Sequence, residues 1–288
     1  MIPYVGGKYQ QSSWMKMFAP KNFTRYGEVF SGAMWFYVKS DWNLKEVYYN
    51  DLDPLMYNLF TCFKQYKKMI EKLKDLPAMN EEVFQDMKKV IQQPLTPPNI
   101  DIAVAHVYLC THIFSGITGT LRNPKLKMID KQFKFATMKD QAVVKRLKTK
   151  KIQNKFDKLQ TFNLSYEKFI PKVDGDDLFL YIDPPYWKTE KLYKEGNFNK
   201  DDHIRLSNIM KNSKCKWMLS YYDFEELHEW FPEDKYVWKR KKYKKVSANA
   251  KGKKTPVGEE ILIMNYGEGF KKEEKVEKFI NDAVELFF

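Results

Sequence analysis

Apolar positions recur at two different spacings along the chain, and the two spacings alternate from one segment to the next. Continuous apolar runs that end in a polar residue predict buried strands, the clearest being LFLYI before Asp183. Segments with apolar residues three and four apart predict helices, as in the stretch that begins at Pro54. This alternation predicts an α/β fold built on a mostly parallel sheet.

The C-terminal part of the chain predicts a different connection. The segments KYVWKRKKYKKV and EEILIMNY both predict strands, and the loop SANAKGKKTPVG that joins them is basic and rich in small residues. We therefore expect an antiparallel hairpin at the end of an otherwise parallel sheet.

The middle of the chain differs from both ends. Three prolines in QQPLTPPNI interrupt the helical pattern, which returns from about 100 to 121. The tract 122–158 has poor periodicity and predicts irregular or loosely helical chain. We expect an inserted, mainly helical domain at 62–160, between the two parts of one sheet domain, 1–61 and 161–288.

Composition excludes several classes of protein. Three widely spaced cysteines, Cys62, Cys110 and Cys215, indicate reduced thiols rather than a disulfide framework, and no Cys/His spacing fits zinc. No apolar run is long enough to span a bilayer, and the N-terminus shows no secretory pattern. We expect a cytoplasmic monomer without a membrane or metal partner.

The positive charge is concentrated in two segments. The net charge is +13; the tract 122–158 holds 13 Lys/Arg against 3 Asp/Glu, and residues 236–254 hold 9 Lys/Arg and no acid. The rest of the chain therefore carries a net charge of −6. Concentrated positive charge on an acidic remainder is typical of proteins that contact a phosphate backbone. The alternative is a solvated lysine-rich face.

Two predicted strand ends carry candidate ligand-binding residues, because parallel sheets bind ligands at the carboxyl ends of their strands. The first is EVFSG, in which Gly32 lets the backbone approach a ligand. The second is Asp51, since an acid about 20 residues beyond a glycine-bearing strand end commonly binds ribose hydroxyls. The alternative role of Asp51 is to cap the following helix.

A third strand end is Asp183-Pro184-Pro185-Tyr186. Two prolines fix the backbone, so the carboxylate and rigid carbonyls can accept both protons of an amine on a planar ring. Those bonds localise the amine lone pair, while Tyr186 and Trp187 can stack on the ring. Such a site would activate an exocyclic amine by positioning and electrostatics, without a metal. The alternative is a proline strand stop beside a surface aspartate.

The order of these motifs resembles the Dam-like family of DNA adenine methyltransferases. PYVGGK is similar to the family's opening W/Y-x-G-G-K, EVFSGAMWF to E/D-P-F-x-G-x-G, and YYNDLDPLMYNLF to N-D-x-N-x-x-L-x-x-x-Y. YLCTHIFSGITGTLR is similar to the helix that opens the recognition region, LSYEKFI to the segment beside the cofactor adenine, and DPPYW to the catalytic motif. These matches run from residue 3 to 187, and EEILIMNY fits the last strand.

The resemblance implies a Rossmann-like methyltransferase sheet with an inserted target-recognition domain. It implies S-adenosyl-L-methionine as cofactor, double-stranded DNA as partner, and methyl transfer to the exocyclic amine of a flipped-out adenine. The residues it places in the catalytic motif are Asp183, Pro184, Pro185 and Tyr186. Those it places at the cofactor are Tyr4, Lys8, Glu28, Phe30, Gly32, Asp51, Ser165 and Asp183. With the basic segments, it assigns DNA contact to Arg122, Lys125, Lys127, Lys241, Lys242 and Lys253.

The chain departs from the family pattern at three positions. Val29 stands for the family's proline, Met34 for its second glycine and Ser115 for an asparagine. Met34 falls either where the backbone meets the cofactor or one turn into the following helix.

The alternatives left open are a DNA-binding homologue without catalysis and a methyltransferase acting on RNA adenine or a cytosine amine. A compact enzyme without fused domains suits a solitary modifier encoded by a phage or mobile element.

Overall fold

The structure is a computed structural model that describes residues 7–77, 80–112, 139–187, 198–244 and 257–270. The strands are β1 (Arg25–Glu28), β2 (Glu46–Asn50), β3 (Leu159–Phe162), β4 (Leu178–Ile182), β5 (Lys216–Tyr221), β6 (Val237–Lys244) and β7 (Val257–Met264). The helices are α1 (Ser12–Lys16), α2 (Trp35–Lys39), α3 (Pro54–Cys62), α4 (Tyr66–Lys74), α5 (Glu81–Gln92), α6 (Ile100–His112), α7 (Lys139–Leu147), α8 (Lys150–Asp157), α9 (Tyr166–Val173), α10 (Lys200–Asn212) and α11 (Glu225–Trp230).

Within the described ranges, seven strands form one sheet in the order β3-β2-β1-β4-β5-β7-β6. The first five of these strands are parallel, and β7 is antiparallel to both β5 and β6. The predicted α/β class, the mostly parallel sheet and the antiparallel C-terminal hairpin are all confirmed.

Helices cover both faces of the sheet, because strand side chains alternate between the faces. Phe179 and Tyr181 of β4 point into a core with helices α2 to α8. Leu178, Leu180 and Ile182 point into a second core with α9, α10 and α11. Every residue of β4 is buried, which explains why its sequence is a continuous apolar run and not an alternating one.

Helix starts follow local capping signals. Asp53 precedes α3, where its side chain accepts a hydrogen bond from the Leu55 amide at 2.8 Å, and Pro54 occupies the first turn. Asn199 and Asp202 form a capping box at the start of α10. These caps satisfy backbone donors that would otherwise lack partners in the first helical turn.

Of the two expectations for the basic tract, irregular or loosely helical chain, the structure shows helix over most of residues 139–157. Those residues form α7 and α8, which bury Val143, Leu147, Ile152 and Phe156 in the same core as α2 and α3. Both helices are short, so each shows too few apolar positions for a clear period among many lysines. Residues 113–138 lie outside the described residues, and the predicted domain division stays a prediction.

Asn50, at the end of β2, ties three segments of chain together. Its Nδ2 donates to the carbonyls of Val29 (2.9 Å) and Leu164 (3.0 Å), and its Oδ1 accepts from the Leu164 amide (3.0 Å). The residue is 2% exposed. The ends of β1 and β2 and the segment after β3 are therefore held in one arrangement by a single buried amide.

We expect Asn50→Ala to lower the free energy of unfolding by about 2 to 4 kcal/mol, because two carbonyls and one amide lose their partner where water has little access. Asn163→Ala is the matched control. The Nδ2 of Asn163 also donates to two carbonyls, but this side chain is exposed and water can replace it. Denaturant unfolding of both variants measures the difference, and equal losses would contradict the buried-clamp account.

Candidate active site

Four loops meet at one edge of the sheet. Strands β2, β1, β4 and β5 are parallel neighbours, so their carboxyl ends lie side by side. The segments that follow these ends are 51–53, 29–34, 183–187 and 222–224. This edge is the position at which open α/β sheets bind ligands.

Gly32 and Asp51, which are 19 residues apart, are in contact. The Gly32 amide donates to Oδ2 of Asp51 at 2.7 Å, and the Tyr49 hydroxyl donates to the Gly32 carbonyl at 3.0 Å. Gly32 has a φ of 46°, in the left-handed region that favours glycine. The expected glycine turn and the expected acid thus face each other across neighbouring strand ends.

Asp51 does not cap the following helix. The cap of α3 is Asp53, while Oδ1 of Asp51 accepts from the Asp53 amide at 2.9 Å. The two contacts through Asp51 place its half-buried carboxylate between the loop after β1 and the start of α3. This carboxylate is the structural candidate for binding ribose hydroxyls.

Met34 lies immediately before α2, not one turn inside it. It is the N-cap residue, has a φ of 50° and is 1% exposed. A left-handed backbone costs a residue with a Cβ roughly 1 to 2 kcal/mol, which accounts for glycine in the family pattern. The Met34 side chain is buried in the core of α2 and α3, and this burial offsets the backbone cost.

Glu28, at the end of β1, points beneath α2. It is 3% exposed, and its Oε1 accepts from the Tyr26 hydroxyl at 2.8 Å and the Tyr37 amide at 3.1 Å. Burial raises the pKa of Glu28 to about 8, and the nearby charge of Asp183 acts in the same direction. The structure therefore places this predicted cofactor contact within the protein's own hydrogen-bond network.

Phe30, in the loop after β1, lies beside two other aromatic rings. The Phe30 ring centroid is 6.0 Å from that of Tyr166 and 5.6 Å from that of Phe198. Ser165 is the N-cap of α9, and its carbonyl accepts from the amides of Lys168 and Phe169. Phe30 and Ser165, both predicted at the cofactor, are thus brought to neighbouring positions at the same edge of the sheet.

Asp183 is held on one side by two hydrogen-bond donors. Its Oδ1 lies 2.9 Å from Nζ of Lys8 and 2.8 Å from the Ser220 hydroxyl, which also contacts the Tyr181 hydroxyl at 2.8 Å. Among the described residues, no hydrogen bond to Oδ2 is found. The Asp183 side chain is 18% exposed, so its carboxylate combines a fixed oxygen with a partly accessible position.

The Tyr186 side chain is largely buried and forms hydrogen bonds inside the protein. It is 9% exposed; its hydroxyl accepts from Lys8 at 2.7 Å and donates to Glu260 at 2.7 Å. The Tyr222 ring lies edge-on to it, with a centroid distance of 4.3 Å. Trp187 is half-buried and stacks on Phe224. Pro184 is buried and Pro185 half-buried between these aspartate and tyrosine positions.

Sequence reasoning missed Glu260, Ser220 and Tyr222. Glu260 directly precedes the apolar run 261–264 of β7 and is 1% exposed. A carboxylate on the same strand face as the buried Leu262 and Met264 is a signal that could have found it, because such a charge requires buried partners. Ser220 and Tyr222 carry no comparable signal, since both residue types are common at the end of a strand.

Of the predicted DNA contacts, Lys241 and Lys242 are described, on the edge strand β6. Lys242 is exposed and pairs in register with Glu259; Lys241 pairs with Glu260, and its Nζ lies over the Trp14 ring at 5.5 Å. The two lysines therefore project from opposite faces of the strand. Tyr4, Arg122, Lys125, Lys127 and Lys253 lie outside the described residues.

Part of the basic tract is used inside the protein. Lys155 is 8% exposed, and its Nζ donates to the Tyr37 carbonyl at 2.9 Å and the Ser40 hydroxyl at 3.2 Å, at the carboxyl end of α2. Burial lowers the pKa of Lys155 to about 8. Lys151 forms an ion pair with Asp41. These cations stabilise the packing of α8, so the tract's net charge overstates the charge available to a polyanion.

Two kinds of feature are absent from the described ranges. No group of three or more His, Cys, Asp or Glu side chains that could hold a metal ion occurs in the described ranges. Within the same ranges, no helix combines the length and the apolar character needed to cross a membrane.

Comparison with known sequences gave one family and several relatives. The sequence profile of the D12 class N6 adenine-specific DNA methyltransferases matches residues 4–246. The type II methyltransferase M.CviBI of Paramecium bursaria Chlorella virus NC1A is 21% identical over 250 residues, which cover 85% of this chain and 90% of the relative. The modification methylase StsI of Streptococcus sanguinis is 21% identical over 227 residues, covering 73% of this chain.

A third relative, the type II methyltransferase M.FokI of Planomicrobium okeanokoites, is 24% identical over 291 residues, covering 92% of this chain. The match spans 32% of StsI and 42% of M.FokI. The chain thus corresponds to less than half the length of these two relatives and to most of the length of the viral one.

Glu28 should make the protein less stable as the pH rises. Between its ordinary pKa of 4.5 and the folded-state pKa of about 8, the folded protein keeps a proton that the unfolded chain releases. We expect the free energy of unfolding to fall across this window by at most about 1.4 kcal/mol per pH unit. Glu28→Gln should remove much of the fall, because Gln cannot ionise. Its amide oxygen can still accept from the Tyr26 hydroxyl and the Tyr37 amide.

Denaturant unfolding at pH 5 to 9 checks this expectation. The matched control is Glu268→Gln, an exposed carboxylate that should leave the pH dependence as in the wild-type protein. Parallel curves for Glu28→Gln and the wild-type protein would show that Glu28 does not hold a proton in the folded state.

Proposed function

Because the chain belongs to the family of D12 class N6 adenine-specific DNA methyltransferases, we propose that it transfers a methyl group from S-adenosyl-L-methionine to the exocyclic amine of adenine in duplex DNA. The observation that carries the proposal is the arrangement of Asp183. Lys8 and Ser220 both bind its Oδ1, while its Oδ2 has no hydrogen-bond partner among the described residues. Oδ2 is therefore the oxygen that can accept a hydrogen bond from one further donor.

The residues at the ends of β1 and β2 fit S-adenosyl-L-methionine by the chemistry of their donors. This cofactor supplies a methyl group bound to a positively charged sulfonium. The carboxylates of Asp51 and Asp183 follow β2 and β4, the strands on either side of β1, and complement that charge. Asp51 would hold the ribose hydroxyls, Gly32 would present backbone without a side chain, and Phe30 and Ser165 would border the adenine ring.

The catalytic step follows from the Asp183-Pro184 segment. Oδ2 of Asp183 and the carbonyl of Pro184 would each accept one proton of the target amine. These bonds draw the nitrogen lone pair out of conjugation with the ring and direct it toward the electrophilic carbon. As the new N–C bond forms, the bond between the methyl carbon and the sulfonium sulfur would break and leave a neutral thioether. The amine would lose one proton, which the Asp183 carboxylate is positioned to receive as a base.

The target adenine would have to leave the duplex to reach this edge of the sheet. Extruding a paired base costs a few kcal/mol, which stacking inside the site and contacts to the phosphate backbone offset. Tyr186 and Tyr222, whose rings lie edge to face, would form one wall for the base. Lys241 and Lys242 on β6 would contact phosphates, together with the basic residues predicted in the tract 122–158.

We expect Asp183→Asn to lower the single-turnover rate of methyl transfer at least about a hundredfold, because it replaces the charged acceptor of the amine proton. Binding of S-adenosyl-L-methionine, measured by calorimetry, should weaken much less than the rate. Asp176→Asn is the matched control, since Asp176 is an exposed carboxylate just before the opposite end of the same strand. Equal rates for Asp183→Asn and the wild-type protein would rule out the assigned role.

The substrate is tested by incubating the purified protein with unmethylated genomic DNA and S-adenosyl-L-methionine, followed by long-read mapping of modified bases. We expect methyl groups on the amine of adenine within one short sequence motif. Modification of cytosine would support the cytosine-amine alternative. DNA binding without any modified base would instead support the binding-only alternative and would direct attention to Met34.

A further inference from the structure

Glu260 is a buried carboxylate that the catalytic step described above does not use. It lies in β7, 1% exposed, between Glu259 and the apolar run 261–264. Its Oε1 accepts the proton of the Tyr186 hydroxyl at 2.7 Å and lies 3.5 Å from Nζ of Lys8. It therefore contacts Lys8, which binds Asp183, and Tyr186, which follows Asp183 in the DPPY segment.

Burying this carboxylate is costly for the fold. Removing a carboxylate from water costs several kcal/mol even after partial compensation, and an apolar residue of similar volume commonly stabilises such a position at least as well. Burial raises the pKa of Glu260 and the positive charge of Lys8 offsets only part of that rise, so the ionised form depends on this partner. A stability role alone gives no reason to place a charge here.

The hydrogen-bond directions around Tyr186 give the reason. Because the single hydroxyl proton of Tyr186 goes to Glu260, its oxygen is left to accept from Lys8. Lys8 then donates to Tyr186 at 2.7 Å and to Oδ1 of Asp183 at 2.9 Å. Without the acceptor at Glu260, the Tyr186 proton would be available to turn toward Asp183 and compete with Lys8 or with the substrate amine.

We propose that Glu260 is a positioning residue of the methyl-transfer site, which orients Tyr186 and Lys8 so that Asp183 keeps Oδ1 bound and Oδ2 available to the amine. The proposal rests on the proposed function, since it assigns a role within that reaction. Glu260 touches neither the substrate nor the methyl donor in this account, and acts through the two residues it binds.

The expected result is a lower rate with little change in binding. Glu260→Gln removes the charge that faces Lys8 and adds an amide N–H that can donate to the Tyr186 oxygen, so it no longer fixes the direction of the Tyr186 proton. It should reduce the single-turnover rate of methyl transfer at least tenfold, while the KM for S-adenosyl-L-methionine changes less than threefold. Glu259→Gln is the matched control, because Glu259 is the preceding residue on β7 and faces the other side of the sheet. That variant should keep the wild-type rate within about twofold.

The pH dependence separates positioning from a general loss of structure. The titratable groups around Glu260 are Lys8, Asp183, Tyr186, Tyr181 in β4, and Lys241, which is its partner in β6. All of them are shared by the wild-type protein and Glu260→Gln. The ratio of the two rates should therefore be largest when Glu260 is ionised and should shrink toward one as the pH falls and Glu260 is protonated.

The outcomes are distinguishable from failure of the proposed function. Absence of methyl transfer by the wild-type protein would overturn the proposed function and this role with it. Transfer that Glu260→Gln leaves unchanged, or lowers by the same factor at every pH, would overturn the positioning role alone. If Glu260→Gln does not fold, Tyr186→Phe replaces it as the test; a wild-type rate and pH profile for that variant would also overturn the role.

Discussion

The arrangement of this site depends on the ion pairs and the hydrogen bond that the Lys8 ammonium group forms. This group is a nearly buried cation that reaches the Asp183 carboxylate, the Tyr186 hydroxyl and the Glu260 carboxylate. These groups come from the N-terminal segment, the end of β4 and the middle of β7. A buried charge needs close partners, so satisfying this one cation fixes three distant parts of the chain relative to one another.

The same edge of the sheet carries more buried titratable groups than stability alone would favour. Glu28 and Glu260 both lie within a few per cent of full burial, and burial raises the pKa of each. Both carboxylates lie close to Asp183, whose own Oδ1 is already bound. Clusters of titratable residues with shifted pKa values are common in sites that move protons or activate nucleophiles. Here they surround the segment to which methyl transfer is assigned.

The basic segments have two different uses. Lys155 and Lys151 hold α8 against the region around α2, so part of the positive charge in the tract 122–158 stabilises the fold. Lys242 on the edge strand β6 is exposed, and β7 of the same hairpin carries Glu260. If β6 contacts phosphates as proposed, the strand paired with it also lines the catalytic site, which would place DNA contact and amine activation on one hairpin.

The sequence by itself determined the sheet, the hairpin and the motif residues, because periodicity, proline and glycine act locally. It also placed Gly32 and Asp51 after two strand ends, whereas their hydrogen bond is a finding of the structure. It left open whether the basic tract is irregular or helical and did not give the bounds of α7 and α8, whose few apolar positions lie among lysines. Only the tertiary structure decided that Glu260 meets Tyr186, because the order of β4, β5 and β7 in the sheet brings together residues 74 positions apart.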